Sequence, residues 1–154
     1  MLLAAHTHAI RRHHKVIILD ADPLVRAGVA AVVAEHPGCW VSALCADASE
    51  ALQAVTQHRP ELAVLELASC AGILQLALLK QLTQKRHSLR LLVHSVHDET
   101  VFAQRVLQAG AHGYVMKGAS VQQLHLGMRT VLDGGYYVSE PVQQLLLQGY
   151  CHQI

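Results

Sequence analysis

A chain of 154 residues is about one domain's worth, since single cores commonly run ~100–150 residues. Twelve Lys and Arg against 11 Asp and Glu give a net charge of +1, which argues against binding nucleic acid through a broad basic face. Hydrophobic residues make up 52% and charged residues 15%, so neither a disordered chain nor a coiled coil fits. No apolar run approaches the ~20 residues of a membrane helix. The start, MLLAAHTHAIRRHHK, places its charges after a short apolar stretch, the reverse of a secretory signal. Cys39, Cys45, Cys70 and Cys151 lack C-x-x-C spacing and read as small buried hydrophobes in a reducing cytoplasm.

Residues 1–14 are His-rich and read as a flexible arm ahead of the domain. Then five short apolar runs begin roughly two dozen residues apart: Lys15–Leu19, Trp40–Leu44, Glu61–Leu65, Leu89–His94 and Gly113–Met116. Each interval has room for a strand, a helix of three or four turns and two short loops. Runs that are apolar throughout, not alternating, predict strands covered on both faces. The first helix follows Asp22-Pro23, a cap and a proline at the first helical position, with Leu24, Val25, Val29, Val32 and Val33 at helical spacing. The second opens behind Asp47 or Ser49 and ends at His58-Arg59-Pro60. Ile73, Leu76, Leu79 and Leu82 mark the third, and Val101, Phe102, Val106 and Leu107 the fourth, which stops at Ala109-Gly110. Val121, Leu124, Met128, Val131 and Leu132 mark the fifth, which stops at Gly134-Gly135. Ser139–Gln148 has the makings of one more short helix, with Pro141 in its first turn. The pattern predicts an α/β fold, (βα)5, wound by right-handed crossovers into a doubly wound parallel five-stranded sheet, a flavodoxin-like three-layer sandwich. The domain is expected over 15–135, with 136–154 a C-terminal tail or the start of a linker.

In such a sheet the carboxyl ends of the strands form the site. Asp20, Ala21 and Asp22 stand after the first strand, Glu66 after the third, Ser95 after the fourth and Lys117 after the fifth. Acids, a hydroxyl and a lysine so arranged suit metal-assisted phosphoryl chemistry.

The segments KVIILDADPLVRAGV, RPELAVLELAS, LRLLVHSVHDE, QAGAHGYVMKGAS and VLDGGYYVSEPV, in this order and spacing, resemble the receiver domain of two-component response regulators. Within that family the likeness is to the NarL/FixJ/LuxR-type branch, whose output is a helix-turn-helix. The resemblance implies two adjacent acids that hold Mg2+, a phosphoacceptor aspartate, a hydroxyl and a lysine that bind phosphoryl oxygens, and a switch aromatic. Those positions fall on Asp20 and Ala21, on Glu66, on Ser95 and Lys117, and on Tyr114. The chain departs from the pattern twice at the chemistry. Ala21 lacks the second carboxylate, and Glu66 is one methylene longer than aspartate. Mg2+ demands near-octahedral geometry from its few carboxylates, so its binding is expected to be weak or absent. The family's Met-Pro-Gly segment after the acceptor is also replaced, by Ser69-Cys70-Ala71.

The expectation is therefore a pseudo-receiver in a degenerate phosphorylation pocket: not an enzyme, cytoplasmic, acting in transcription regulation without phosphorylation. It would work as a homodimer, through a protein partner, or through a helix-turn-helix output domain that this chain does not contain. Alternatives stand beside it. Asp22 either caps the first helix or substitutes for the missing ligand. Tyr114 is either a switch or a packed strand residue, and Ser95 a hydrogen-bond donor to Glu66 or to backbone. His94, His97 and His112 with Glu66 are chemically able to hold a transition metal, against the plainer reading of solvated loop histidines. A phosphorylatable receiver that tolerates Glu66, a stand-alone protein-binding adaptor, and a flavodoxin-like cofactor binder are the other functions. The last lacks any G-x-G-x-x-G after the first strand.

Overall fold

A computed structural model describes residues 13–68 and 74–151. The elements run β1 (His14–Leu19), α1 (Pro23–Glu35), β2 (Cys39–Cys45), α2 (Ala48–His58), β3 (Leu62–Leu65), α3 (Leu76–Lys85), β4 (Arg90–Ser95), α4 (Glu99–Gln108), β5 (Gly113–Met116), α5 (Val121–Leu132) and α6 (Glu140–Cys151). The five strands form one sheet in the order β2-β1-β3-β4-β5, every neighbouring pair parallel. This is the predicted three-layer α/β sandwich.

Because side chains alternate across a strand, each strand feeds two cores. Val16, Ile18, Val64, Leu92 and Val115 pack beneath α1 and α5 with Val29, Val33, Leu124 and Met128. Ile17, Leu65, Leu91, Val93 and Tyr114 face the other way, against α2, α3, α4 and the first turn of α6. The helix starts follow from side chains that satisfy free backbone N–H groups. Asp22 accepts from Leu24 N (2.9 Å) and Val25 N, with Pro23 next in line. Asp47, not Ser49, caps α2. Ser120 and Gln123 form a reciprocal capping box on α5. Gly110 and Gly134 adopt left-handed φ of 114° and 92° just past the ends of α4 and α5, where a side chain would be strained. Arg59 takes the same role after α2, with φ of 49°.

The segment after α5 does more than trail away. Tyr137 bridges to Gly113: its carbonyl accepts from Tyr114 N (3.0 Å) and its N–H donates to the His112 carbonyl (3.0 Å). Val138 and Val142 are buried in the α2/α3/α4 core. Arg90 fastens the end of α5, donating to the carbonyls of Val131 (2.8 Å) and Gly135 (2.6 Å). Residues 136–151 thus pack on the sandwich.

On the opposite side, His36 after α1 meets His125 of α5. Their Nδ1 atoms are 2.9 Å apart, with rings within 17° of parallel.

Of the cysteines expected inside, Cys45 is buried and Cys39 half-buried, and burial pushes both thiols up to about 11. Cys151 is exposed on the last turn of α6, which corrects its reading as a core residue. Cys70, with the Ser69-Cys70-Ala71 segment, lies outside the described residues, as do residues 1–12 of the N-terminal arm and the first predicted residue of α3, Ile73. No helix among the described residues is long and apolar enough to cross a membrane.

Candidate functional site

The carboxyl ends of β1 and β3 lie side by side, and Lys117 reaches across from the end of β5, beyond β4, to bring Asp20, Glu66 and Lys117 together. The Lys117 ammonium is 2.7 Å from Asp20 Oδ2 and 3.3 Å from Glu66 Oε2. Each carboxylate is fixed at its other oxygen by backbone: Asp20 Oδ1 accepts from Asp22 N (2.9 Å), and Glu66 Oε1 accepts from Ala68 N (3.0 Å). All four carboxylate oxygens are therefore engaged. The side chains are 6%, 8% and 16% exposed for Asp20, Glu66 and Lys117, so attraction in the site is only partly screened. Burial alone lowers a lysine pKa, but the hydrogen bond and charge of Asp20 and the charge of Glu66 outweigh it, and Lys117 is raised. The two carboxylates and one ammonium leave the cluster with one net negative charge. Of the two Lys117 contacts, the one to Asp20 is the shorter.

Ala21 is exposed and offers no side-chain oxygen. Asp22, the neighbour able to stand in for it, spends its carboxylate on the N-terminus of α1. The Arg26 guanidinium reaches back from α1 to the Asp20 carbonyl (2.6 Å), a clamp on the β1–α1 turn that nothing in the sequence pattern singles out.

Ser95 ends β4, buried, and its Oγ accepts from His97 N (3.2 Å). The bond that Ser95 makes is thus as an acceptor in the turn after β4, and its hydroxyl hydrogen stays available as a donor. Its carbonyl accepts from Lys117 N (2.8 Å), joining the β4 and β5 ends. Tyr114 is 2% exposed and lies inward beside this turn, its hydroxyl donating to the His97 carbonyl (2.8 Å). Burial raises the Tyr114 pKa, with the nearby Ser95 hydroxyl acting against the rise.

The three histidines weighed as metal ligands are dispersed. His97 tilts against Phe102 of α4. His112 precedes β5, at the amino edge of the sheet and not at the carboxyl edge, where its Nδ1 accepts from Leu91 N (3.0 Å) and its ring lies against Tyr136. Burial and the Arg90 charge hold His112 down at about 4. His94 is buried beneath α1 and α5, and burial followed by the Lys117 charge lowers its pKa. Among the described residues no three His, Cys, Asp or Glu side chains converge as metal ligands. The place of His94 was legible in period-2 alternation, since it lies two residues from the core residue Leu92 and on the same face.

Comparison with known proteins fits this geometry. The family profile for the response regulator receiver domain matches residues 16–129. Oxygen regulatory protein NreC of Staphylococcus epidermidis is 30% identical over 139 residues, covering 90% of this chain and 64% of that protein. Response regulator GacA of Pseudomonas syringae is 28% identical over 141 residues, covering 91% of this chain and 65% of that protein. The chain thus spans under two thirds of the length of these curated relatives. Among solved structures, a LuxR-family two-component response regulator from Aurantimonas superposes with a TM-score of 0.80 at 26% identity, over 90% of this chain and 98% of that one. The isolated receiver domain of RcsB from Salmonella enterica, solved with the phosphomimetic BeF3-, shares the fold at a TM-score of 0.76 and 18% identity, over 86% and 98% of the two chains. With the family pattern running from β1 into the last turns of α5, this chain belongs to the response regulator receiver domains.

Proposed function

We propose that this receiver relays its signal without accepting a phosphoryl group, and that it does so by associating with itself or with a partner. The observation that carries the reading is the Lys117 ammonium lodged between Asp20 and Glu66, with an alanine where a second acid would complete a cation site. Mg2+ needs oxygen ligands at near-octahedral positions. Here the four carboxylate oxygens already face an ammonium or backbone N–H groups, and Ala21 contributes none. The donor set therefore does not fit a resident magnesium ion. Glu66 also carries its negative charge one methylene further out than aspartate, into the space where transferred phosphate oxygens would lie, and misplacement of this order costs large factors in rate. Asp20, Glu66, Ser95 and Lys117 are on this reading a degenerate phosphorylation pocket, and Tyr114 is held in its inward position. Metal-independent, the domain is a regulator and not an enzyme.

Association is supported by apolar side chains left in solvent. Leu24 on α1 is 83% exposed, and Val121 and Leu126 of α5 are also exposed. Isolated exposed leucines are ordinary, but several on two adjacent helices favour an interface. We assign this face to a homodimer, and the outer side of α6, with Leu147 and Tyr150 exposed, to the approach of an output domain of the helix-turn-helix kind.

The test is chemical. The purified protein is incubated with acetyl phosphate or phosphoramidate and Mg2+, and its intact mass is measured. No mass gain is expected. A stoichiometric gain of one phosphoryl group refutes the proposal in favour of a working receiver that tolerates Glu66.

A further inference from the structure

A groove of about 290 Å³ runs between α1 and α5 beside the carboxylate cluster, sharing Lys117 with it as a lining residue. Its walls are apolar: Val25 and Val32 of α1 face Val121 and Leu124 of α5. Gly28 leaves it open, for a β-carbon there would meet nothing within 4 Å. At the groove lies His94, 9% exposed. Among the described residues its ring nitrogens make no hydrogen bond, and no fully buried side-chain nitrogen or oxygen lacks a partner, so these nitrogens open onto the groove. An imidazole this enclosed ordinarily finds a hydrogen-bond partner. The neutral ring, favoured by burial and by Lys117, has one donor and one acceptor to offer.

We propose that this groove is a binding site for a compact, uncharged apolar molecule carrying one hydroxyl group, seated between α1 and α5 with its hydroxyl on His94. The walls account for the apolar body, and the volume lies at the small end of ligand cavities. The absence of charge follows from the neighbours. Lys117, the one cation among the groove's lining residues, already faces Asp20 and Glu66. An anion would meet a cluster with one net negative charge, and a cation would find every oxygen of both carboxylates engaged. Burying an unpaired charge is costly. A hydroxyl matches the imidazole as either donor or acceptor. This site stands whether or not Glu66 takes a phosphoryl group.

The experiment titrates the intact protein with hexan-1-ol, hexanoate and hexylammonium, following the His94 ring and the groove methyl groups by NMR. Hexan-1-ol is expected to give saturable shifts confined to the groove, in the millimolar range, with both charged probes at least tenfold weaker. Gly28→Leu, which fills the groove at an exposed helical position, is expected to keep the far-UV circular dichroism of the parent and to weaken hexan-1-ol at least tenfold. His94→Leu is expected to remove the preference for hexan-1-ol over hexane-like probes such as cyclohexane. Non-saturating shifts, equal binding of the charged probes, or undiminished binding by Gly28→Leu overturns the proposal. So does loss of the hexan-1-ol shifts on diluting the protein to its monomer, which would place the probe between two copies of the chain.

Discussion

Lys117 does at one atom what several groups share in a site built around a metal: its ammonium holds two carboxylates together. Removing one member of a mostly buried charge set leaves the others uncompensated, and such changes cost more than the intact set contributes. Lys117→Ala is therefore expected to lower the stability by about 2–4 kcal/mol, read as a shift in the urea midpoint, and to alter self-association measured by sedimentation. The pH dependence has a definite sign. The folded pKa of Lys117 is raised, so its contribution is fully present below the unfolded value and is lost as pH rises through the folded one. Wild-type stability should accordingly decline at strongly alkaline pH more steeply than that of Lys117→Ala. The pair Ala21→Asp with Glu66→Asp restores two short carboxylates around Asp20. It is expected to bind Mg2+ by isothermal titration where the parent shows no heat. A silent double variant would place the obstruction in the altered loop after β3. The residue types at these positions were legible in the sequence, but the grip of Lys117 on Asp20 was not. That contact depends on which way a long side chain swings across the strand ends, and spacing along the chain carries no such information.

Among the elements, β5 lies where its apolar run placed it, over Gly113–Met116, and the segment C-terminal to α5 adds most to what the sequence suggests. All five strands follow from apolar runs of β-branched and aliphatic residues, and the first two helix starts from Asp22 and from Asp47 or Ser49, because those signals are local. The docking of residues 136–151 was hidden, because nothing nearby in sequence announces that Tyr137 will hydrogen-bond back to Tyr114 and His112. The amino-edge position of His112 was in principle readable from its place before the fifth run. Two predictions belong here. A chain ending at Gly135 loses the buried Val138 and Val142 as well as both Tyr137 backbone bonds. At about 1.5–3 kcal/mol for each buried valine, it should be destabilised by several kcal/mol or fail to fold, measured by thermal melting. Gly113→Ala would press a β-carbon to 2.7 Å from Leu92 Cδ1 and 3.1 Å from the Tyr137 carbonyl oxygen. Overpacking of this kind costs about 1–3 kcal/mol, and the loss should appear in the same melt.

The molecule as a whole carries 12 histidines, and three of them, His36, His94 and His112, are held below their ordinary pKa, in each case first by burial. For a base whose folded pKa is depressed, the unfolded chain takes up the proton first, so stability is present above the ordinary value of 6.5 and is lost as pH falls below it. His112 sets the depth of the loss, with its value near 4 and an Nδ1 that must stay unprotonated to accept from Leu91 N. Urea midpoints are expected to fall between pH 7 and pH 5, and His112→Asn, whose side-chain oxygen can take the same N–H, should flatten that fall. An unchanged slope in the variant would assign the acid sensitivity elsewhere.

The turn after β4 has a mechanical consequence. Its His97 carbonyl anchors the Tyr114 hydroxyl, while two residues on, Glu99 opens α4 and accepts from the Ser139 hydroxyl at 2.7 Å, one residue before α6 begins. The rim of the acidic pocket and the root of the terminal helix are thus yoked by a short run of bonds outside the hydrophobic interior. Whatever displaces that turn tugs on the start of α6, and Ser139→Ala removes one strand of that link while the Tyr114–Tyr137 backbone bond keeps another.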